Sequence, residues 1–140
     1  MFESMKNTFG LPDVNVSEYS PLTLAYIGDC VYELIIRTGL VFKGNAPVNK
    51  LNADASRYAK AGTQSAIIEK IMDSLSEEEL SVYKRGRNAH SYTKAKNATS
   101  GDYRRATGFE ALIGYLYLEQ KFDRIMELVR MGFDAVGGKL

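Results

Sequence analysis

Leu22-Thr-Leu-Ala-Tyr-Ile-Gly-Asp29-Cys-Val-Tyr-Glu33-Leu-Ile-Ile36 is apolar at most positions yet carries two acids and a glycine. Ser20-Pro21 precedes it, a good N-cap followed by a residue whose fixed φ suits the first helical turn. These signals predict a helix from Leu22 to Thr38 that stops at Gly39, a plausible C-cap. A second segment of the same character is Ala106-Thr-Gly-Phe-Glu110-Ala-Leu-Ile-Gly-Tyr-Leu-Tyr-Leu118. Both are too apolar to lie exposed, so each is expected to be a central helix packed on most sides. Burying an unpaired carboxylate costs several kcal/mol, so Asp29 and Glu110 demand a partner. Gly28 stands beside Asp29, and Gly108 and Gly114 flank Glu110. A glycine inside a helix costs ~1 kcal/mol relative to alanine, so three of them point to close helix approach. If the two helices cross at these glycines, Asp29 and Glu110 face each other. Two facing carboxylates with oxygen-only ligation suit Mg²⁺, or Mn²⁺. The alternative is that each acid pairs with a buried cation or caps a backbone group, and composition does not separate the two.

The remaining pattern is helical. A second helix fits Pro47 to Ala61, stopped by Gly62, and a third fits Gln64 to Leu75 with Ile67, Ile68, Ile71, Met72 and Leu75 on one face. Ser76-Glu77-Glu78-Glu79 is a capping box opening a fourth. Ser91 to Gly101 is polar and expected to be loop, Asp102 to Gln120 a long helix, and Asp123 to Ala135 the last. No stretch alternates as a strand does, so the expected fold is all-α, a single domain over residues 1–140. Residues 1–15 carry no clear signal.

The chain has 140 residues, 45% hydrophobic and 25% charged, an ordinary globular profile rather than a disordered one. One cysteine and one histidine exclude an intramolecular disulfide and a Cys/His zinc site. No leader pattern and no apolar run of ~18 residues is visible, so a cytoplasmic protein with no membrane partner is expected. The net charge of +1 conceals an asymmetry. Between Lys84 and Arg105 there are seven basic residues and one acid, +6 over 22 residues, which leaves −5 on the rest. Acids are nearly absent there, and small polar residues surround the cations, which favours a phosphate-binding surface over a solvated face of mixed sign. Candidate phosphate contacts are Lys84, Arg85, Arg87, Asn88, His90, Lys94, Lys96, Arg104 and Arg105.

Other residues read more plainly. Glu33 and Arg37 are spaced for an i,i+4 pair, so Glu33 is expected to be structural. Cys30 lies 60 positions from the histidine and is expected to be a small buried hydrophobe, not a nucleophile. Phe109, Tyr115 and Tyr117 read as core rather than as a stacking platform. Gly137-Gly138-Lys139 follows no strand and is no phosphate loop.

Leu24-Ala-Tyr-Ile-Gly-Asp29 resembles the signature helix of the ribonuclease III catalytic domain, where Leu-Glu-Phe-Leu-Gly-Asp is typical. Phe109-Glu-Ala-Leu-Ile-Gly114 resembles that family's second acidic motif, 81 residues on. The short chain, with Tyr83-Lys-Arg-Gly-Arg-Asn-Ala89 and Asp102-Tyr-Arg-Arg-Ala-Thr-Gly-Phe-Glu110, is similar to the mini-ribonuclease III group, which lacks a separate double-stranded-RNA-binding domain. The resemblance implies a homodimeric, Mg²⁺-dependent endonuclease on double-stranded RNA. It also implies maturation of large-subunit ribosomal RNA precursor and products with 5′-phosphate ends. Asp29 and Glu110 match two of the family's four catalytic acids; the other two positions fall on Leu22 and Thr107, and the glutamate of the signature helix is Ala25 here. Those gaps keep open a non-catalytic module that grips structured RNA, and an all-α scaffold with ion-paired acids. A domain of this length has a radius of gyration of roughly 14 Å, so two strands call for two subunits.

Overall fold

A computed structural model describes residues 1–89 and 100–140; the predicted contacts His90, Lys94 and Lys96 lie outside them. The described residues form seven α-helices and no strand: α1 (Phe2–Phe9), α2 (Pro21–Phe42), α3 (Val48–Ala59), α4 (Ala61–Ile71), α5 (Glu77–Asn88), α6 (Ser100–Leu118) and α7 (Phe122–Ala135). Short 3₁₀ turns stand before α2 and after α4.

The predicted starts hold at atomic level. Ser20 Oγ accepts a hydrogen bond from Thr23 N at 3.3 Å, with Pro21 in the first turn. Ser76 and Glu79 form the reciprocal capping box, at 3.1 and 2.8 Å. The predicted stop does not hold, because α2 runs through Gly39 to Phe42. A glycine ends a helix by adopting positive φ; Gly44, beyond the helix, does so at 143°, and Gly39 does not. Gly39 instead gives room to Leu140, whose side chain would lie 3.0 Å from a Cβ there.

The expected helices at 47–61 and 64–75 meet at a sharper corner than predicted. Lys60 is extended (φ −67°, ψ 152°) and separates α3 from α4. Side chains take up the carbonyls this break frees: Thr63 Oγ1 donates to Arg57 O (2.7 Å), Tyr32 Oη to Tyr58 O (2.7 Å) and Gln64 Nε2 to Ala59 O (2.7 Å).

Helix α6 is the central element, buried continuously from Ala106 to Leu116 except at Glu110 and packed on α2, α4, α5 and α7. The glycines set its distances. A Cβ on Gly28 would overlap the Glu110 carbonyl oxygen, and one on Gly114 would overlap that of Leu24, so α2 and α6 meet backbone to backbone. Gly108 serves a different neighbour: a Cβ there would lie 2.7 Å from the Tyr83 ring of α5.

Helix α2 is central on one side only. Leu22, Tyr26, Leu34 and Val41 are 38, 82, 60 and 56% exposed. With Cys30, which is exposed rather than buried, they recur at helical spacing along one stripe. The expectation that α2 would be covered on most sides fails along this stripe, because no other helix among the described residues packs there.

Candidate active site

The α2–α6 crossing brings Asp29 and Glu110 into one cleft of about 570 Å³, lined also by Leu22, Ala25, Glu33 and Thr107. Asp29, next to Gly28, sits exposed at the rim, whereas Glu110 is largely buried. The costly carboxylate is therefore Glu110 alone. Burial, a hydrogen bond shared with Asp29 and the Asp29 charge push its carboxyl up to about 8; Glu33 adds to this and a hydrogen bond from Gln64 opposes it. Among the described residues no arginine or lysine forms an ion pair with Asp29 or Glu110.

Glu33 pairs with Arg37 at 3.6 Å, as its spacing predicts, while still facing the cleft. Leu22 and Thr107, the positions that the resemblance matches to two further acids, also line the cleft. The Thr107 hydroxyl donates to Tyr103 O at 2.9 Å within α6, so its proton is already engaged. Among the described residues no group of three metal-ligating side chains assembles. The donor set is two carboxylates, which suits a hard divalent cation that keeps several waters.

The basic candidates separate. Lys84, Arg85 and Asn88 line an open groove along α5, floored by Pro21 and Leu80, which adjoins the acidic cleft at the start of α2. Arg87 lies over the Tyr83 ring at 5.7 Å, and Arg104 is exposed on α6. Arg105 is drawn inward, to Ser65 Oγ (2.7 Å), Glu69 (3.0 Å) and Asp102 (3.2 Å), and ties α6 to α4. Phe109, Tyr115 and Tyr117 belong to the core or its edge, as expected.

Sequence reasoning missed one residue at the site. Gln64 is 2% exposed and donates to both Ala59 O and, at 3.4 Å, Glu110 Oε2. The signal was present: Gln64 occupies the turn before Ile67 and Ile68, a polar residue on an apolar face.

An all-helical body that carries two acids from crossing helices into one cleft defines a class, and the comparisons agree. The Ribonuclease III domain model matches residues 22–121. A mini-ribonuclease 3 of Brevibacillus brevis is 49% identical over 120 residues, 86% of this chain and 90% of the relative. One from a Thermoanaerobacter species is 43% identical over 136 residues, 97% and 96% of the two chains. The fold is similar to a crystal structure of a Fusobacterium nucleatum protein, with TM-score 0.75, 35% identity and coverage of 81% and 93%. The chain belongs to the ribonuclease III family, within its mini-ribonuclease III group of endoribonucleases.

Proposed function

We propose that this chain, one catalytic domain over residues 1–140, is a Mg²⁺-dependent endoribonuclease that cleaves double-stranded RNA, in the cytoplasm, during maturation of large-subunit ribosomal RNA precursor. The observation that carries this reading is the backbone-to-backbone crossing at Gly28 and Gly114, which sets Asp29 beside Glu110. Asp29 and Glu110 would hold the cation, Mn²⁺ serving in place of Mg²⁺. When bound, it supplies charge stabilisation at the scissile phosphate and a water of lowered pKa, giving 5′-phosphate and 3′-hydroxyl ends. Glu110 contributes a buried carboxyl that holds its proton until a bound cation would displace it, and Asp29 presents its carboxylate at the open rim. Glu33, paired with Arg37 at the surface, adds negative potential at the cleft.

Lys84, Arg85, Arg87, Asn88 and Arg104 supply phosphate and 2′-hydroxyl contacts beside the cleft, with His90, Lys94 and Lys96 completing the same basic segment. Such contacts read the shape of an A-form duplex more than its sequence. Arg105 acts differently, by anchoring the start of α6 on which Arg104 rides. The apolar stripe of α2 supports a homodimer, because Leu22, Tyr26, Cys30, Leu34 and Val41 leave an exposed apolar face beside Asp29 of the kind that a second copy would cover. Two such subunits give two cleavage centres, one per strand. Incubation of the protein with double-stranded RNA and Mg²⁺, with product ends mapped, tests the proposal; an absence of cleavage by protein that binds the RNA would contradict it.

A further inference from the structure

The corner between α3 and α4 contains an amide that hydrophobic packing does not explain. Gln64 lies on the first turn of α4, on the same inward face as Ile67, Ile68 and Ile71, all of which are essentially inaccessible to solvent. A leucine or methionine would suit that position better for stability, because burying a primary amide carries a desolvation penalty that only good hydrogen bonds offset. The bonds Gln64 makes are unequal. Its Nε2 donates to Ala59 O at 2.7 Å, a short, firm contact with the last residue of α3. The same nitrogen donates to Glu110 Oε2 at a longer 3.4 Å. Its Oε1 is buried and meets no hydrogen-bond partner among the described residues.

This arrangement fixes the amide's orientation. Turning it over would place Oε1 against two acceptors, the Ala59 carbonyl and the Glu110 carboxylate, and would leave both without a donor. Ala59 O is itself held, since the neighbouring carbonyls of Arg57 and Tyr58 are tied by Thr63 and Tyr32. The corner thus presents one N–H to one carboxylate oxygen of the site, from a helix that contributes no acid to the cleft lining. Glu110 Oε2 is thereby engaged from the α4 side, while the same carboxyl meets Asp29.

We propose that Gln64 is a positioning residue: anchored on the α3–α4 corner, its amide holds the Glu110 carboxylate in the rotamer that lets Asp29 and Glu110 share one divalent cation. The inference rests on the two-acid reading above and deepens it by naming what aims the buried acid. It accounts for a buried amide that incurs a penalty where an apolar side chain would fit. Groups that orient ligands in this way typically change metal affinity or activity by about 10–100-fold when removed.

The test uses Gln64→Leu and Gln64→Met, which keep the volume and lose the donor, with Thr63→Ala as control. Thr63→Ala breaks an adjacent corner bond and leaves Glu110 untouched. Mn²⁺ affinity is measured by calorimetry on RNA-free protein, alongside kcat and KM on double-stranded RNA and the circular dichroism melt. Both Gln64 variants are expected to fold, to bind Mn²⁺ about 10–100-fold more weakly and to lose kcat, with KM for RNA within about twofold of wild type. Thr63→Ala is expected to bind Mn²⁺ as wild type does. Wild-type Mn²⁺ affinity in both Gln64 variants, an equal loss in Thr63→Ala, or unfolding of both Gln64 variants would each overturn the role. If the wild type neither binds Mn²⁺ nor cuts RNA, the two-acid reading fails; if it does both and Gln64→Leu matches it, only the role of Gln64 fails.

Discussion

Replacing Glu110 with glutamine should abolish cleavage and at the same time make the metal-free protein more stable. In the fold, burial and the Asp29 carboxylate raise the Glu110 carboxyl from its reference of 4.5 to about 8. A group whose folded pKa is raised contributes full stability below its unfolded pKa, and that stability is lost as pH rises through the folded value. Between pH 4.5 and 8 the unfolded chain ionises Glu110 while the fold keeps it protonated, so each rise in pH works against folding. At 1.36 kcal/mol per unit, the rise from 4.5 to about 8 sets a ceiling near 5 kcal/mol. Asp29 stands at the exposed rim and can turn away, and water reaches the cleft, so the expected effect is smaller, about 1–3 kcal/mol. Glutamine keeps the shape and cannot ionise. Urea unfolding in chelator from pH 5 to 9 should give near-coincident midpoints at pH 5 and a growing advantage for Glu110→Gln towards pH 8.5. Taking the difference between the two proteins cancels the titrating groups that do not interact with Glu110. Added Mg²⁺ should close the gap by stabilising only the wild type. A pH-independent difference, or a variant less stable than wild type at pH 8 without metal, would refute the reasoning.

Other expectations follow from the same contacts. Gly114→Ala drives a methyl into the Leu24 carbonyl and should destabilise the fold by about 1–3 kcal/mol or more, read as a lowered urea midpoint. Lys84→Ala with Arg85→Ala should weaken RNA binding on all duplex sequences and flatten its salt dependence by about one unit of slope per lost phosphate contact. Arg105→Ala should lower the melting temperature while leaving that slope closer to wild type, because its partners are Ser65, Glu69 and Asp102. Tyr26→Glu puts a charge in the exposed α2 stripe and should yield monomers in sedimentation; an unchanged oligomeric state would remove that stripe as the subunit contact.

Much of the fold was legible because its helix starts are local chemistry. Ser20-Pro21 and Ser76-x-x-Glu79 satisfy their own backbone donors, so no tertiary information is needed to read them. Ends depending on distant partners were not legible. Gly39 continues a helix because Leu140, a hundred residues away, lies over it. Helix α1 has no side-chain cap and is held by the Phe2 ring against Tyr117 and Phe122, with centroids 5.0 and 6.0 Å apart. The site was legible to the same degree. Glycines beside acids on two apolar segments announced the crossing, and the crossing is there. What composition could not apportion was burial: Asp29 and Cys30 are exposed on α2, while Glu110 points inward. Arg105 likewise belongs by sequence to a basic run and by position to an ion-pair cluster.

The central claim is that the α2–α6 crossing builds a metal-dependent cleavage centre from Asp29 and Glu110. Its most direct test is single-turnover cleavage of end-labelled double-stranded RNA with Mg²⁺, by wild type and by Asp29→Asn. Wild type should cut and leave 5′-phosphate ends, and Asp29→Asn should bind the same RNA within about twofold without cutting it. Cleavage by Asp29→Asn at the wild-type rate, or RNA binding without cleavage by both proteins, would contradict the account.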